Sequence, residues 1–474
     1  MLLKTLAVAA LTILILPPGV CQGQSPPSQA HQDSTFSLDQ AIDYALANYP
    51  AVRAALEHVS AARAGVRLAR TSYLPRADTL WQANRATRNN IFGLYFPNPV
   101  ISPISGPVLA STSNRSVWGS AAGLLFSWEA FDFGYRHATV NAAKAGQSRA
   151  SAESGVTRFD VAVAATNAFM TLLAAQERVR ASHADVDRRQ VFARSVHVLV
   201  NNNLRPGAEA SRADAELARA RTDLARAEEA EQVSRAAFAD TLGLAGIEIN
   251  ISPGPLLRSP AATALPAATI TSHPVAAAER ARVEEARARE RVVQRSYYPR
   301  LNFQSTVYGR GSGANPDGSI TAGANGLGLE RANWAAGLTV SFPALDIFSV
   351  RARKEIEASN ERAEVARYDQ AIQDLTAQLR EARAALEGAR RVAENTPVEL
   401  RAARDSETQA RARYRSGLAT VVEVAEAQGL LVQAEADDAL AQLAVWNNLA
   451  SVAAAQGDLR PFIQLLRSAP SGGH

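Results

Sequence analysis

Hydrophobic and polar positions follow two different periods along this chain, and the two periods occur twice in the same order. Over long stretches apolar residues recur every three or four positions, as in Ala162, Ala165, Phe169 and Leu172, and this spacing predicts helices with a packed seam. Between the helices, shorter stretches such as 301–308 alternate every second position, which predicts strands with one apolar face. We therefore expect long helices that are interrupted by short strands.

The order of elements repeats because the chain contains two copies of one unit. Pro50 has its counterpart 224 positions later in Pro274, and Asp132 has its counterpart 214 positions later in Asp346. The ten-residue difference falls between residues 85 and 116, in a stretch rich in proline, glycine and asparagine. Each copy is predicted to consist of helix, strand, strand, long helix and helix.

The predicted boundaries follow from this duplication. They are 36–242 for the first repeat, 243–272 for a proline-rich linker, 273–460 for the second repeat and 461–474 for a mobile C-terminal tail. The predicted strands cover about 77–86, 117–128, 300–308 and 333–343, and the long helices cover about 135–201 and 349–416. Pro397 lies inside the second long helix, where a proline is expected to kink or break it.

The N-terminus predicts export from the cytoplasm. Lys4 precedes an apolar run from Leu6 to Leu16, so residues 1–23 match a secretory signal peptide with cleavage near Cys21 or Gly23. The run is too short for a bilayer span, which needs about 20 residues. Cys21 is the only cysteine, which excludes a disulfide framework and a cysteine-based zinc site. A lipidated Cys21 is the alternative, and the lack of a small residue just before it argues against lipidation.

The predicted strands have the features of a sheet that crosses a membrane. The residues predicted to face lipid are Trp118, Leu124, Phe126, Trp128, Leu301, Phe303, Trp334, Leu338 and Phe342. A soluble, half-buried hairpin gives the same alternation and stays an alternative. In lipid, an open sheet leaves its edge N–H and C=O groups unsatisfied, and single-chain barrels start at about eight strands. Four strands per chain therefore imply a barrel shared between copies, with two copies supplying eight strands and three supplying twelve.

Composition and charge narrow the classes of function. The chain has 50 basic and 46 acidic residues, and their interspersion indicates solvated helix faces rather than a nucleic-acid-binding patch. The 7 histidines are scattered without metal-ligand spacing. Gly309, Gly311 and Gly313 are expected in a loop rather than in a phosphate-binding turn. The sequence therefore predicts no catalytic, metal or cofactor site, and we do not expect an enzyme.

Three segments resemble the TolC-type outer membrane efflux proteins. They are Phe36 to Pro50, Asp132 to Arg136 at a strand-to-helix junction, and Tyr414 to Thr420 at the turn after the second long helix. The resemblance covers nearly all of the mature chain. It implies a mainly α-helical fold with a membrane β-barrel, in which a homotrimer forms one twelve-stranded barrel in the outer membrane, continued by an α-helical periplasmic tunnel.

The same resemblance implies the exit duct of a tripartite efflux or type I secretion system. Its expected partners are a periplasmic adaptor, an inner-membrane transporter and outer-membrane lipid, and no nucleic acid. The alternative is a non-transporting periplasmic coiled-coil scaffold or an adaptor subunit, which would wash off the membrane without detergent.

The resemblance also places two groups of candidate site residues at the periplasmic tip. Glu423 and Glu426 lie three positions apart on one helix face, match acidic positions at the family's constricted entrance, and are candidates for a gate and for cation selectivity. A solvated helix face explains such charges equally well. The candidates for docking the adaptor are Tyr414, Gly417, Leu418, Ala419 and, in the first repeat, Leu204. A helix-ending role is the alternative for Gly417.

Overall fold

The computed structural model describes residues 35–87, 114–260, 265–266, 268–315, 317, 319–320 and 323–469, and its elements follow the duplication. The predicted signal peptide with Cys21, residues 88–113 of the first strand–strand connection and residues 470–474 lie outside this part of the chain. The first repeat contains β1 (Thr35–Phe36), α1 (Leu38–Asn48), α2 (Pro50–Thr71), β2 (Arg76–Thr87), β3 (Ser116–Phe131), α3 (Tyr135–Asn201) and α4 (Gly207–Thr241). After β4 (Asn250–Ile251), the second contains α5 (Pro274–Arg295), β5 (Arg300–Ser312), β6 (Arg331–Ser341), α6 (Ile347–Arg415), α7 (Val421–Ala455) and α8 (Arg460–Ser468).

Matched helix lengths show how closely the two repeats correspond. α2 and α5 both have 22 residues, α4 and α7 both have 35, and α3 and α6 have 67 and 69. At about 1.5 Å per residue, α3 is about 100 Å long. α3 pairs with α4, and α6 pairs with α7, as two helical hairpins. The bounds of α3 agree with the sequence prediction, and α6 begins two residues before its predicted range.

α6 continues through Pro397, so the predicted break does not occur there. Proline has no N–H group, and the carbonyl of Ala393 therefore lacks its usual helical partner. Tertiary packing compensates for this loss. Ala393 and Thr396 are buried, and the Thr396 hydroxyl donates to Asp438 Oδ1 on α7 at 2.9 Å.

β2, β3, β5 and β6 form an antiparallel sheet in that order, with β2 and β6 at its edges. β2, β3 and β5 extend beyond their predicted ranges, and β6 begins and ends two residues earlier than predicted. Leu124 lies opposite Val307, Trp128 lies opposite Phe303, and Phe303 lies opposite Leu338. Directly opposed residues of an antiparallel pair point to the same side, so these apolar side chains share one face of the sheet.

Gly309 and Gly311 lie within β5, which corrects the expectation that they belong to a loop. The chain that follows β5 folds back over them. A Cβ atom at Gly311 would overlap the carbonyl oxygen of Gly328, and one at Gly309 would lie 3.1 Å from Leu329 Cβ. Glycine is therefore required here for close backbone approach, a role that the sequence pattern alone does not distinguish from a loop.

The largest apolar core lies beside the middle of α3, where α1, α8 and parts of α4, α6 and α7 pack together. Phe462 of α8 is fully buried there, with its ring centroid 6.2 Å from that of Trp446. The prediction of a mobile tail from residue 461 was therefore wrong for the part that forms α8. Pro461 occupies the first turn of this helix, a position that proline favours.

A buried histidine, His273, caps the start of α5 in the same region. Its Nδ1 accepts the N–H of Val275 at 3.2 Å, and its Nε2 donates to the carbonyl of Ala454 at 3.2 Å. This pair of contacts needs the neutral ring, because a protonated ring has no acceptor. Burial lowers the pKa of His273, and the nearby carboxylate of Asp160 opposes that shift.

Among the described helices, α3 alone contains a segment that is apolar enough by length and composition to cross a membrane, and half of that segment is buried inside the molecule. This is weak evidence for a span, since the core helix of a folded protein passes the same test. α3 packs against α2, α4, α5 and α7, so an apolar composition is expected of it without a bilayer.

Candidate gate and docking site at the helical tip

The two hairpin turns lie together at one end of the molecule. The turn from α3 to α4 covers residues 202–206, and the turn from α6 to α7 covers residues 416–420. Asn203 and Gly417 are counterparts in the two repeats, and both have a positive φ, of 57° and 78° respectively. Asparagine and glycine are the residues that adopt this left-handed conformation at least cost, so the turns share one geometry despite their different sequences.

The turn geometry exposes one leucine from each hairpin. The backbone N–H groups of Leu204 and Leu418 each donate at 2.9 Å to a carbonyl five residues earlier, which closes the helix end. Their side chains are 69% and 71% exposed. Gly417 thus has the helix-ending role that was its alternative explanation, and the same turn leaves Leu418 exposed.

A small apolar core, which we call the tip core, joins the two turns. Its buried members are Phe192, Ala193, Val196, Ala210, Ala213, Tyr414, Ala419, Val421 and Val424. The rings of Phe192 and Tyr414 pack edge to face, with centroids 5.2 Å apart. Tyr414 and Ala419 are only 2% and 5% exposed. This corrects the expectation that both are displayed at the turn surface, because they support that surface from beneath.

Tyr414 also links the two hairpins through polar groups. Its hydroxyl donates to Glu209 Oε2 on α4 at 2.8 Å. Arg205 donates to the Tyr414 carbonyl at 2.9 Å, lies 4.7 Å from the centroid of the Tyr414 ring, and is 3.7 Å from Glu209. Burial, reinforced by the Glu209 carboxylate, raises the pKa of Tyr414, so its hydroxyl remains a donor. We call Arg205, Glu209 and Tyr414 the tip triad.

Sequence reasoning missed two members of this triad. Arg205 and Glu209 were not candidate site residues, since nothing in their local sequence connects them with Tyr414. A signal was nevertheless present, because Glu209 is the counterpart of Glu423 at the offset of 214. The duplication therefore pointed to position 209 as well as to position 423.

The structure gives the two predicted gate carboxylates different roles. Glu423 forms a capping box with Thr420, in which the N–H of Thr420 donates to Glu423 Oε1 at 3.2 Å and the N–H of Glu423 donates to Thr420 Oγ1 at 3.3 Å. Glu423 also lies 3.6 Å from Arg413. Glu426 is exposed and makes no ion pair within the described residues. Of the two, Glu426 presents the uncompensated charge.

At the opposite end of the molecule, the sheet carries an apolar face. The strand register places on this face the predicted residues Trp118, Leu124, Phe126, Trp128, Leu301, Phe303, Trp334 and Leu338, and Phe342 follows the end of β6. Trp81 lies on the same face opposite Ala122 and is 76% exposed, although it was absent from the predicted set. The alternation over 77–86 was the signal for it. The other face is mixed: its Gln304 and Thr306 are buried and hydrogen-bonded, and it also carries the buried apolar residues Ala121 and Leu125.

The chemistry available at the tip consists of hydrogen bonds, carboxylates and apolar contacts. Within the part of the chain that the structure describes, no group of three or more His, Cys, Asp or Glu side chains is placed to hold a metal ion.

A sheet with one apolar face, joined to two helical hairpins that meet at a common tip, is the architecture of a membrane channel subunit. The family model for outer membrane efflux proteins matches residues 41–244 and 265–458. The chain belongs to this family, and the resemblance to TolC-type proteins is confirmed.

Individual relatives agree with this assignment. Protein CyaE of Bordetella pertussis is 26% identical over 450 residues, which cover 93% of this chain and 88% of CyaE. The crystal structure of the outer membrane protein VceC of Vibrio cholerae matches with a TM-score of 0.69 at 18% identity, over 89% of this chain and 96% of VceC. The open state of the MtrE outer membrane channel of Neisseria gonorrhoeae matches with a TM-score of 0.70 at 19% identity, over 89% of each chain. The two solved structures establish the fold.

Family membership settles the location and the broad function. The chain lies in the outer membrane and extends into the periplasm. Members of the family are efflux or secretion exit channels rather than enzymes. They work with periplasmic adaptors and inner-membrane transporters.

Proposed function

We propose that three copies of this chain form the exit duct of a tripartite efflux or type I secretion system, and that the duct is a passive pathway closed at its periplasmic tip. The sheet is the observation that carries the proposal. It has four strands, one apolar face, and edges at β2 and β6. Neighbouring strands are antiparallel throughout, so β2 and β6 run in opposite directions. β6 of one copy can therefore pair with β2 of the next and keep the antiparallel pattern.

The size of the lumen favours three copies over two. Side chains fill the interior of a barrel of about eight strands, whereas a larger barrel leaves an open passage. Twelve strands from three copies would place the apolar faces toward lipid and the opposite faces, with Gln304 and Thr306, toward the passage. Closure of the ring would also satisfy the backbone groups of both edge strands.

Closure at the tip is supported by the tip triad. The Tyr414–Glu209 hydrogen bond joins the second hairpin to the first, so the hairpins can separate only if this bond and the tip core are disrupted. Under threefold symmetry three such links and three copies of Glu426 surround one axis. The Glu426 carboxylates would attract cations and repel one another, which lowers the cost of opening.

Adaptor docking is supported by the two exposed leucines. Leu204 and Leu418 project from equivalent turns of the two hairpins, at the end of the molecule farthest from the sheet. A photo-crosslinker or maleimide attached to Leu418→Cys should capture a periplasmic adaptor in cells. Failure to capture one in a strain whose pump remains active would reject this docking site.

Channel formation itself is tested with the purified chain in planar bilayers. The proposal expects discrete single-channel conductance from detergent-extracted, membrane-derived protein. A non-transporting scaffold or adaptor subunit would leave the membrane without detergent and would give no conductance, and that result would reject the proposal.

A further inference from the structure

One arginine lies on the face of the sheet that otherwise carries no charge. Arg85 in β2 is directly opposite Trp118 in β3, and Trp118 shares the apolar face with Leu124 and Trp128. Among the described residues of β2, β3, β5 and β6, Arg85 is the only charged residue that the register places on this face. Arg85 is exposed and makes no ion pair within the part of the chain that the structure describes.

The position of Arg85 along the sheet corresponds to a membrane interface. β2 begins at Arg76, next to the helices, so Arg85 lies toward the end of the sheet that points away from the periplasm. On β3, ten residues separate Trp118 from Trp128, which is about 33 Å of strand at about 3.3 Å per residue. At a strand tilt of about 40°, this length spans about 25 Å of membrane, which is the height of the apolar band of an outer-membrane barrel. Trp128 and Trp118 therefore mark the two interfaces, and Arg85 lies at the outer one.

Two contacts hold the guanidinium group of Arg85 in place. Its Nε donates to the hydroxyl of Ser116 at 3.0 Å, and its Cζ lies 5.4 Å from the centroid of the Trp118 ring. The second distance is within the range of a cation–π contact. The N–H groups of Nη1 and Nη2 have no hydrogen-bond partner among the described residues. The fork that they form matches two oxygens of one phosphate group.

The connection between β5 and β6 supports Trp118 from the side opposite to β2. The N–H of Gly313 donates to the carbonyl of Trp118 at 2.8 Å, and a Cβ atom at Gly326 would overlap that carbonyl. Main-chain contacts therefore fix Trp118 on one side, while its ring supports Arg85 on the other. The site is formed without a ligand.

The membrane supplies the anion that this arginine lacks. An arginine on the lipid face of a barrel is most unfavourable at the bilayer midplane, and the penalty becomes small near the interface. Trp81, which is on the same strand and the same face, is 76% exposed and lies on the membrane side of Arg85. The long side chain of Arg85 can therefore keep its stem against the apolar band and place its charge among the lipid head groups.

We propose that Arg85, supported by Trp118 and Ser116, binds the phosphate group of a lipid in the outer leaflet of the outer membrane. This inference rests on the proposed function, because it requires the apolar face of the sheet to lie in lipid. In the proposed ring, β6 of the next copy lies beside β2. The residues of β6 on the same face contribute no carboxylate, since they are Ala332, Trp334, Ala336, Leu338 and Val340. Charge complementarity therefore favours an anion from the membrane, and three copies provide three such sites.

Native mass spectrometry of the mature chain in detergent tests the site, with lipid A as the probe because it carries phosphate groups on an acylated sugar. The parent protein should retain up to three lipid A molecules in each three-copy particle. Arg85→Gln removes the charge and the fork and should lower the affinity for lipid A by about tenfold. Arg85→Lys keeps the charge without the fork and should bind with an intermediate affinity.

Arg76→Gln is the matched control, because Arg76 lies at the periplasmic end of the same strand and on the other face. This variant should bind lipid A like the parent protein. Equal affinities of the parent protein and Arg85→Gln would overturn the site, and so would an equal loss in Arg76→Gln. Displacement of lipid A by inorganic phosphate at the same concentration would indicate a site for free phosphate and would overturn the assignment to a lipid.

The number of copies in the particle separates failure of the lipid site from failure of the duct. A three-copy particle in which Arg85→Gln keeps full affinity overturns only the lipid site. A one-chain particle of the parent protein that is soluble without detergent overturns the duct itself. If Arg85→Gln does not assemble, Arg85→Lys carries the test, and affinity equal to that of the parent protein would overturn the site.

Discussion

Replacement of Tyr414 by phenylalanine isolates the hydrogen bond that links the hairpins. The variant keeps the ring that packs on Phe192 in the tip core and loses only the hydroxyl that donates to Glu209 at 2.8 Å. A hydrogen bond to a charged group contributes about 1.5–3 kcal/mol. Because Glu209 keeps its contact with Arg205 and some access to solvent, we expect the variant to lose interaction free energy near the lower end of this range.

The effect of Tyr414→Phe on gating depends on whether the Tyr414–Glu209 hydrogen bond exists in the closed tip, in the open tip or in both. If the bond exists only in the closed tip, a loss of about 1.4 kcal/mol shifts the closed-to-open ratio about tenfold for each copy. Threefold symmetry repeats the loss three times. Single-channel recording in planar bilayers should therefore show that the Tyr414→Phe channel is open far more of the time than the parent channel. The temperature at which the membrane-spanning part unfolds should not change.

Tyr298→Phe is the matched control for this experiment. Tyr298 is 43% exposed, lies near the sheet, and its hydroxyl makes no hydrogen bond within the described residues. The control should behave like the parent protein. If Tyr414→Phe is also indistinguishable from the parent, the tip triad does not hold the duct closed.

Three further predictions concern charge, membrane insertion and pH. Glu426→Ala should lower cation selectivity in planar bilayers at an unchanged thermal midpoint, and unaltered selectivity would remove Glu426 from the pathway. Glu423→Ala should lower the thermal midpoint, because Glu423 closes the capping box with Thr420 and a carboxylate in the first helical turn contributes about 0.3–1 kcal/mol. Leu124→Arg should destabilise the sheet in the bilayer by about 2–4 kcal/mol and abolish assembly in membrane fractions. Ser127→Arg, on the other face, should still assemble. Equal yields of the two variants would contradict the assignment of the faces. Because the folded protein lowers the pKa of His273, its contribution to stability is complete above the unfolded pKa of about 6.5 and is lost as the pH falls below it. When thermal unfolding is measured at successive pH values, the midpoint of His273→Asn should fall less at acidic pH than the midpoint of the parent protein. Equal decreases for the two proteins would refute this role.

The duplication made most of the fold predictable from the sequence. Matching prolines at 50 and 274 located the two short helices, and three-and-four spacing of apolar residues located α3 and α6 to within two residues. These signals are local or periodic, and tertiary packing did not override them. Pro397 shows the limit of local rules, because packing of Thr396 against α7 keeps the helix intact where the backbone alone predicts an interruption.

The tip was predictable in location but not in its contacts. The resemblance to the family placed Tyr414 and Glu423 at a turn, yet it could not show that Tyr414 is buried or that its partner is 205 positions away on α4. The capping role of Glu423 was present in the sequence as threonine followed three residues later by glutamate. A hydrogen bond between distant helices, by contrast, has no periodic signature, and only the folded structure reveals it.

The shared ring of strands is the claim on which the proposed duct depends, and the mass of the detergent-extracted protein tests it most directly. Native mass spectrometry of the mature chain taken from membrane fractions should give three copies in one particle. A particle of one chain, soluble without detergent, would contradict the account.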